Sequence, residues 1–235
     1  MWRKIRAYKK RKIIYPFAVG LCMVLIVNKI VYAEGDEYSI ESLNARRLSY
    51  WYCDIPTDEG VYLIGRFESN TVTLQVNDLG SDGELDLDAA MENARVQWAD
   101  ALNITINITL SSDADIRCWG GTTAEIQAVT GFGIGSGYAG ITDLADAVDD
   151  SEDWIYGGIS IDGKIHRDVE CYIVDNGASN ARNVGVCLHE LGHALGWRGH
   201  SSVSTDVLYN IANSVTTLTN RDKLHISQVY NRSDY

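Results

Sequence analysis

The sequence predicts an α/β or α+β domain built on one twisted sheet, and three observations predict it. Apolar residues alternate with polar ones at Val72, Leu74 and Val76, from Ile104 to Leu110, and at Val169, Cys171 and Ile173. That is the two-residue period of half-buried strands. Between the first two stretches, Leu87, Met91, Ala94, Trp98 and Leu102 follow helical spacing. Two further helical stretches close the chain. The order is strand, helix, several strands, helix, loop, helix, and one sheet covered by helices buries those faces.

Each element has its own signals. The first strand starts at Thr71 and ends at a turn over 80–83. Asp86 or Asp88 caps the helix that follows. A short strand surrounds Ile116 and Cys118, and the glycine-rich stretch from Thr130 to Ile141 reads as loop plus edge strand. A helix runs from about Ser179 to Gly196. The last helix starts with Thr219 as cap and Asp222 three residues on, a variant of the capping box, and continues through Leu224, Ile226 and Val229.

The N-terminus precedes the fold. Arg3, Lys4, Arg6, Lys9, Lys10, Arg11 and Lys12 lead into an apolar run from Ile13 to Val27, followed by Val31-Tyr32-Ala33. This layout predicts a secretory signal peptide over 1–33 of bacterial style, cleaved after Ala33. The alternative is an uncleaved membrane anchor, for which the run is short. Residues 34–69 then form a short pro-segment or an N-terminal extension, and 70–235 the main domain.

Without the leader the chain keeps 12 basic and 32 acidic side chains, a net of −20. That charge repels nucleic acid and anionic membranes, which excludes both as partners. The expectation is an extracellular monomer with no stable membrane association. Four cysteines remain, Cys53, Cys118, Cys171 and Cys187, and an even number in an exported chain predicts two disulfides of open pairing.

The segment HELGHALGWRGHS, residues 189–201, carries the chemistry. His189 and His193 are four apart, so on a helix they share one face. Two imidazoles at that spacing can hold one zinc ion. Glu190, beside the first of them, can act as general base toward a water that zinc makes more acidic.

This segment resembles the metzincin signature H-E-x-x-H-x-x-G-x-x-H. In that family the glycine breaks the active-site helix and a third histidine completes the site. Gly196 holds the glycine position. His200 stands for the third histidine, one residue late, because Trp197, Arg198 and Gly199 replace the usual two. Asp206 is the rival third ligand, since some metzincin relatives use an aspartate. Ser201 after the histidine resembles the matrixin branch. Eight residues beyond His200, Leu208 stands where that branch has the methionine of its Met-turn.

The resemblance covers about residues 70–231, and 189–209 carry its specificity. It implies a metzincin-like twisted mixed sheet with an active-site helix and a C-terminal helix. It also implies one catalytic zinc and hydrolysis of internal peptide bonds in protein or peptide substrates. The segment reaching Thr142 would be the edge strand that pairs with an extended peptide. Cys53 or Asp54 could hold the zinc site latent, with Arg46-Arg47 as a processing site.

Other readings stand beside this one. The motif suits any amide carbonyl, so a zinc hydrolase of cell-wall peptide is an alternative. A binding module that lost catalysis is another, against which Glu190 argues. Asp143, Asp146, Asp149, Asp150 and Asp153 could supply calcium oxygens but fit no EF-hand spacing. His166 and His225 lack partners at metal spacing and read as structural histidines.

Overall fold

The computed structural model describes residues 66–80, 85–144, 148–149, 154–156, 159–161, 164–165, 168–197, 200–201 and 203–230. The expected signal peptide, nearly all of 34–69 with Cys53 and Asp54, and Asp146, Asp150, Asp153, His166, Arg198 and Gly199 lie outside them.

The elements, in order, begin with β1 (Thr71–Asp78), α1 (Leu87–Leu102), β2 (Thr105–Ile108), β3 (Ile116–Gly121), α2 (Thr123–Thr130) and β4 (Gly140–Asp143). Four short strands follow: β5 (Val148–Asp149), β6 (Trp154–Tyr156), β7 (Ile159–Ile161) and β8 (Lys164–Ile165). The chain continues through β9 (Val169–Val174), α3 (Asn180–Ala194) and α4 (Asn220–Tyr230). Among the described residues no helix is long and apolar enough to cross a membrane.

The main sheet has five strands in the order β2-β1-β3-β9-β4. β2, β1, β3 and β9 run parallel, and β4 joins β9 antiparallel as an edge strand. Parallel neighbours need a crossover connection, and α1 supplies it between β1 and β2. The two-residue period therefore reports strands with one face on the core. Val72, Leu74, Ile106, Ile116, Val169 and Ile173 are all buried there.

Helix ends follow local chemistry. The Asp86 carboxylate caps α1 by accepting from the Ala89 amide at 3.0 Å, so Asp86 and not Asp88 is the cap. At the start of α4, the Asp222 amide donates to Thr219 Oγ1 at 3.2 Å while the Thr219 amide donates to Asp222 Oδ2 at 2.9 Å. This is the reciprocal pair the sequence predicts. The helix α2 was not expected. Its only fully buried apolar residue is Ile126, so it shows no helical period. It is held by a capping box between Thr122 and Glu125.

The expected disulfides are not formed among the described residues: Cys118, Cys171 and Cys187 are free and buried. Cys118 and Cys171 are register partners on β3 and β9. Their strand positions point into the core beneath α3, where each serves as a small apolar side chain. Burial is the first cause that pushes all three thiols up.

Trp98 ties α1 to α3. It is fully buried, and its indole Nε1 donates to the Leu188 carbonyl at 2.9 Å. Trp98→Ala is expected to lose about 3–5 kcal/mol of stability in urea unfolding. Trp98→Phe keeps most of the packing and loses the one hydrogen bond, so its loss should be clearly smaller. Equal midpoints for Trp98→Ala and wild type would contradict this account of the helix pair.

Candidate metal centre

The site begins with the way α3 ends. Gly196 has φ +116, a conformation that suits glycine. Its amide donates to the His193 carbonyl at 2.9 Å, and the Trp197 amide donates to the Gly192 carbonyl at 3.1 Å. These two bonds make a Schellman motif. The break sends the chain back across the last turn of the helix, where Trp197 is buried and its carbonyl accepts from His193 Nδ1 at 2.9 Å.

A second carbonyl holds the other helical histidine. His189 Nδ1 lies 2.8 Å from the carbonyl oxygen of Val207. A carbonyl only accepts, so in both rings Nδ1 carries the hydrogen and Nε2 presents a lone pair. The two Nε2 atoms stand 3.0 Å apart. Two acceptors so placed repel unless a cation draws both.

His200 completes the group. Its ring centroid is 5.2 Å from that of His189 and 5.1 Å from that of His193. One nitrogen from each of the three rings lies within 4.8 Å of the others, and they form the group able to hold a metal ion among the described residues. Three imidazoles converging in this way fit a zinc ion with a fourth position open. Burial, followed by the neighbouring His193, holds the His189 imidazole well below its usual range and so in its neutral form. Asp143, from the acidic stretch considered for calcium, is not part of the group.

Asp206, the rival third ligand, is engaged elsewhere. It is fully buried, ion-paired with Arg221 at 2.9 Å, and accepts from Ser201 Oγ at 2.6 Å and Thr219 Oγ1 at 3.0 Å. Next to it, Asp222 receives the Val207 and Leu208 amides at 3.1 and 3.3 Å. Burial first, and then Asp206, push the Asp222 carboxyl up against these hydrogen bonds. The turn that carries the Val207 carbonyl is therefore pinned from α4. Leu208 is fully buried against α3 at Gly192, an apolar floor in the place of the absent methionine. His225 is buried with its ring 4.0 Å from that of Trp197, packed as a structural residue.

Glu190 is buried and lines the same cavity as the three histidines, a space of about 580 Å³. The cavity is bounded by β4 on one side and by Asn210, Ile211, Ala212 and Asn213 on another. Desolvation pushes the Glu190 carboxyl up to about 8, and a hydrogen bond from Thr142 opposes the shift. Sequence reasoning missed Thr142, Gly140, Asp222 and the two carbonyls as parts of the site. The signal for the first two was their spacing of two on one strand, so that both share a face.

A family model described as Matrixin matches residues 66–231, which takes in every described strand and helix. No curated protein matches the chain. With the five-stranded mixed sheet, the broken helix α3 and the histidine triad in place, the match over 66–231 establishes that this chain belongs to the matrixin family.

Proposed function

We propose that the protein is a secreted zinc endopeptidase in which His189, His193 and His200 hold the metal and Glu190 is the catalytic base. The observation that carries this reading is the convergence of three imidazole nitrogens within 4.8 Å in a cavity that also contains the Glu190 carboxylate. Zinc, when bound, polarises the scissile carbonyl and makes an adjacent water more acidic. The histidines present neutral Nε2 atoms because the Val207 and Trp197 carbonyls hold their Nδ1 hydrogens.

Glu190 takes a proton from the attacking water as its oxygen bonds to the carbonyl carbon. It then delivers that proton to the leaving amine nitrogen as the C–N bond breaks. Among the described residues β4 is an edge of the main sheet, so an extended substrate can pair with its outer side and cross the cavity. Export of the chain, with residues 1–33 removed, places this activity outside the cell.

Glu190→Ala should keep about one zinc per chain and lose activity on casein by a factor of about 10² to 10⁴. Zinc analysis beside a digestion assay, with and without a chelator, measures both. Digestion at the wild-type rate by the variant would reject the mechanism.

His200→Ala should lose zinc sharply. Asp206→Ala removes a buried carboxylate from the half-exposed Arg221 and from its hydroxyl donors and should lower stability by about 1–3 kcal/mol, yet the folded protein should keep its zinc. Zinc retained in the first and lost in the second would reverse the ligand assignment.

The metal-free protein should show the Glu190 shift in its stability. The folded-state value of about 8 lies above the ordinary 4.5, so the folded protein holds a proton that the unfolded chain has lost between those values. Stability from this group is full below pH 4.5 and is lost as pH rises to about 8. Glu190→Gln, neutral throughout, should therefore gain stability over wild type across that window. A stability difference that does not change with pH would show that the Glu190 carboxyl is not perturbed.

A further inference from the structure

Glu190 has neighbours on the sheet as well as on its own helix. Thr142 Oγ1 lies 2.7 Å from Glu190 Oε2 and 2.9 Å from the Glu190 carbonyl oxygen. Two residues earlier on β4, Gly140 faces the same side chain. A Cβ at that position would stand 2.6 Å from Glu190 Oε1 and 2.7 Å from its Cγ. Residues two apart on a strand share a face, so β4 offers an empty slot and a hydroxyl side by side. Cys171, the register partner of Thr142, packs behind the pair, with Sγ 3.7 Å from Thr142 Oγ1 and 3.8 Å from the Glu190 carbonyl.

The geometry points to Thr142 as a positioning residue for Glu190, with Gly140 leaving the space in which the carboxylate is held. The inference rests on the peptidase reading above. A glutamate side chain has three torsions, and a helical backbone alone leaves more than one rotamer open to it. The Thr142 hydroxyl donates to Oε2, a charge-assisted bond when the carboxylate is ionised. Oε1, which lies against the Gly140 position, stays outside that bond. The edge strand thus has two roles that the sequence does not connect. One margin pairs with substrate, and the side chains of its inner face aim the base.

The distinction matters because a displacement of about 1 Å at a reacting group can cost a hundredfold in rate. Valine has the shape of threonine without the donor, and serine has the donor without the methyl. A purely structural Thr142 would respond to packing and not to the hydroxyl.

The test uses zinc-loaded wild type, Thr142→Val, Thr142→Ser and Gly140→Ala, with zinc content, kcat and KM on one peptide, and crystal structures of the metal-free forms. Thr142→Val is expected to lower kcat about tenfold or more, with KM and zinc content unchanged. Its Glu190 carboxylate should move by about 1 Å or more. Thr142→Ser should restore both kcat and the carboxylate position. Gly140→Ala should displace the carboxylate by direct contact, which keeps the inference open to refutation if Thr142→Val does not fold.

A carboxylate that stays in place in Thr142→Val or Gly140→Ala would overturn the inference. So would a Thr142→Ser variant as impaired as Thr142→Val. If wild type cleaves no peptide, the peptidase reading fails, while the carboxylate position in the metal-free crystals still decides whether Thr142 holds it.

Discussion

Everything at this site depends on one constraint: three imidazoles must converge, and the two on the helix are held from behind to keep them there. Two imidazole nitrogens 3.0 Å apart have no reason to approach on their own account. The backbone imposes the approach. The Trp197 and Val207 carbonyls grip the far nitrogens of His193 and His189 and decide which nitrogen carries the hydrogen. Neither carbonyl belongs to the helix that carries those histidines.

Each carbonyl is delivered by a different device. Trp197 arrives because Gly196 ends α3 in a left-handed residue and turns the chain back. Val207 arrives because Asp222, in the first turn of α4, receives the amides of Val207 and Leu208. The carboxylate is buried, and what compensates its burial is this set of donors together with those of Thr219. Asp206 and Arg221 lock the next layer, so α4 acts as the back wall of the candidate metal centre although none of its described side chains lines the cavity. On the other side, Trp98 fixes α3 to α1 and β4 closes over Glu190.

This arrangement explains which parts of the protein could be read in the sequence. His189, Glu190 and His193 were legible because helical spacing alone puts the two rings on one face with the carboxylate next to them. His200 was legible through the resemblance to the metzincin signature, because counting on from it restores the spacing to Ser201 and Leu208 and a loop can lengthen by one residue at little cost. The strands with one buried face and the amphipathic α1 were legible by period. By contrast, α2 is short and buries little, and its only clear signal was the Thr122 to Glu125 spacing.

The remainder was illegible because it is non-local. Thr142 and Glu190 are 48 residues apart, and only the antiparallel docking of β4 on β9 brings them together. The cysteines misled for a related reason. Parity and the expected export favour disulfides, but β3 and β9 aim Cys118 and Cys171 into the core. Asp206 looked able to bind metal until Arg221, 15 residues on, was seen to occupy it. The most direct measurement of the central claim is anomalous diffraction at the zinc edge from zinc-loaded crystals. The account predicts one ion about 2.0–2.1 Å from Nε2 of His189 and His193 and from one ring nitrogen of His200. An ion held by Asp206, or bound away from the three rings, would contradict it.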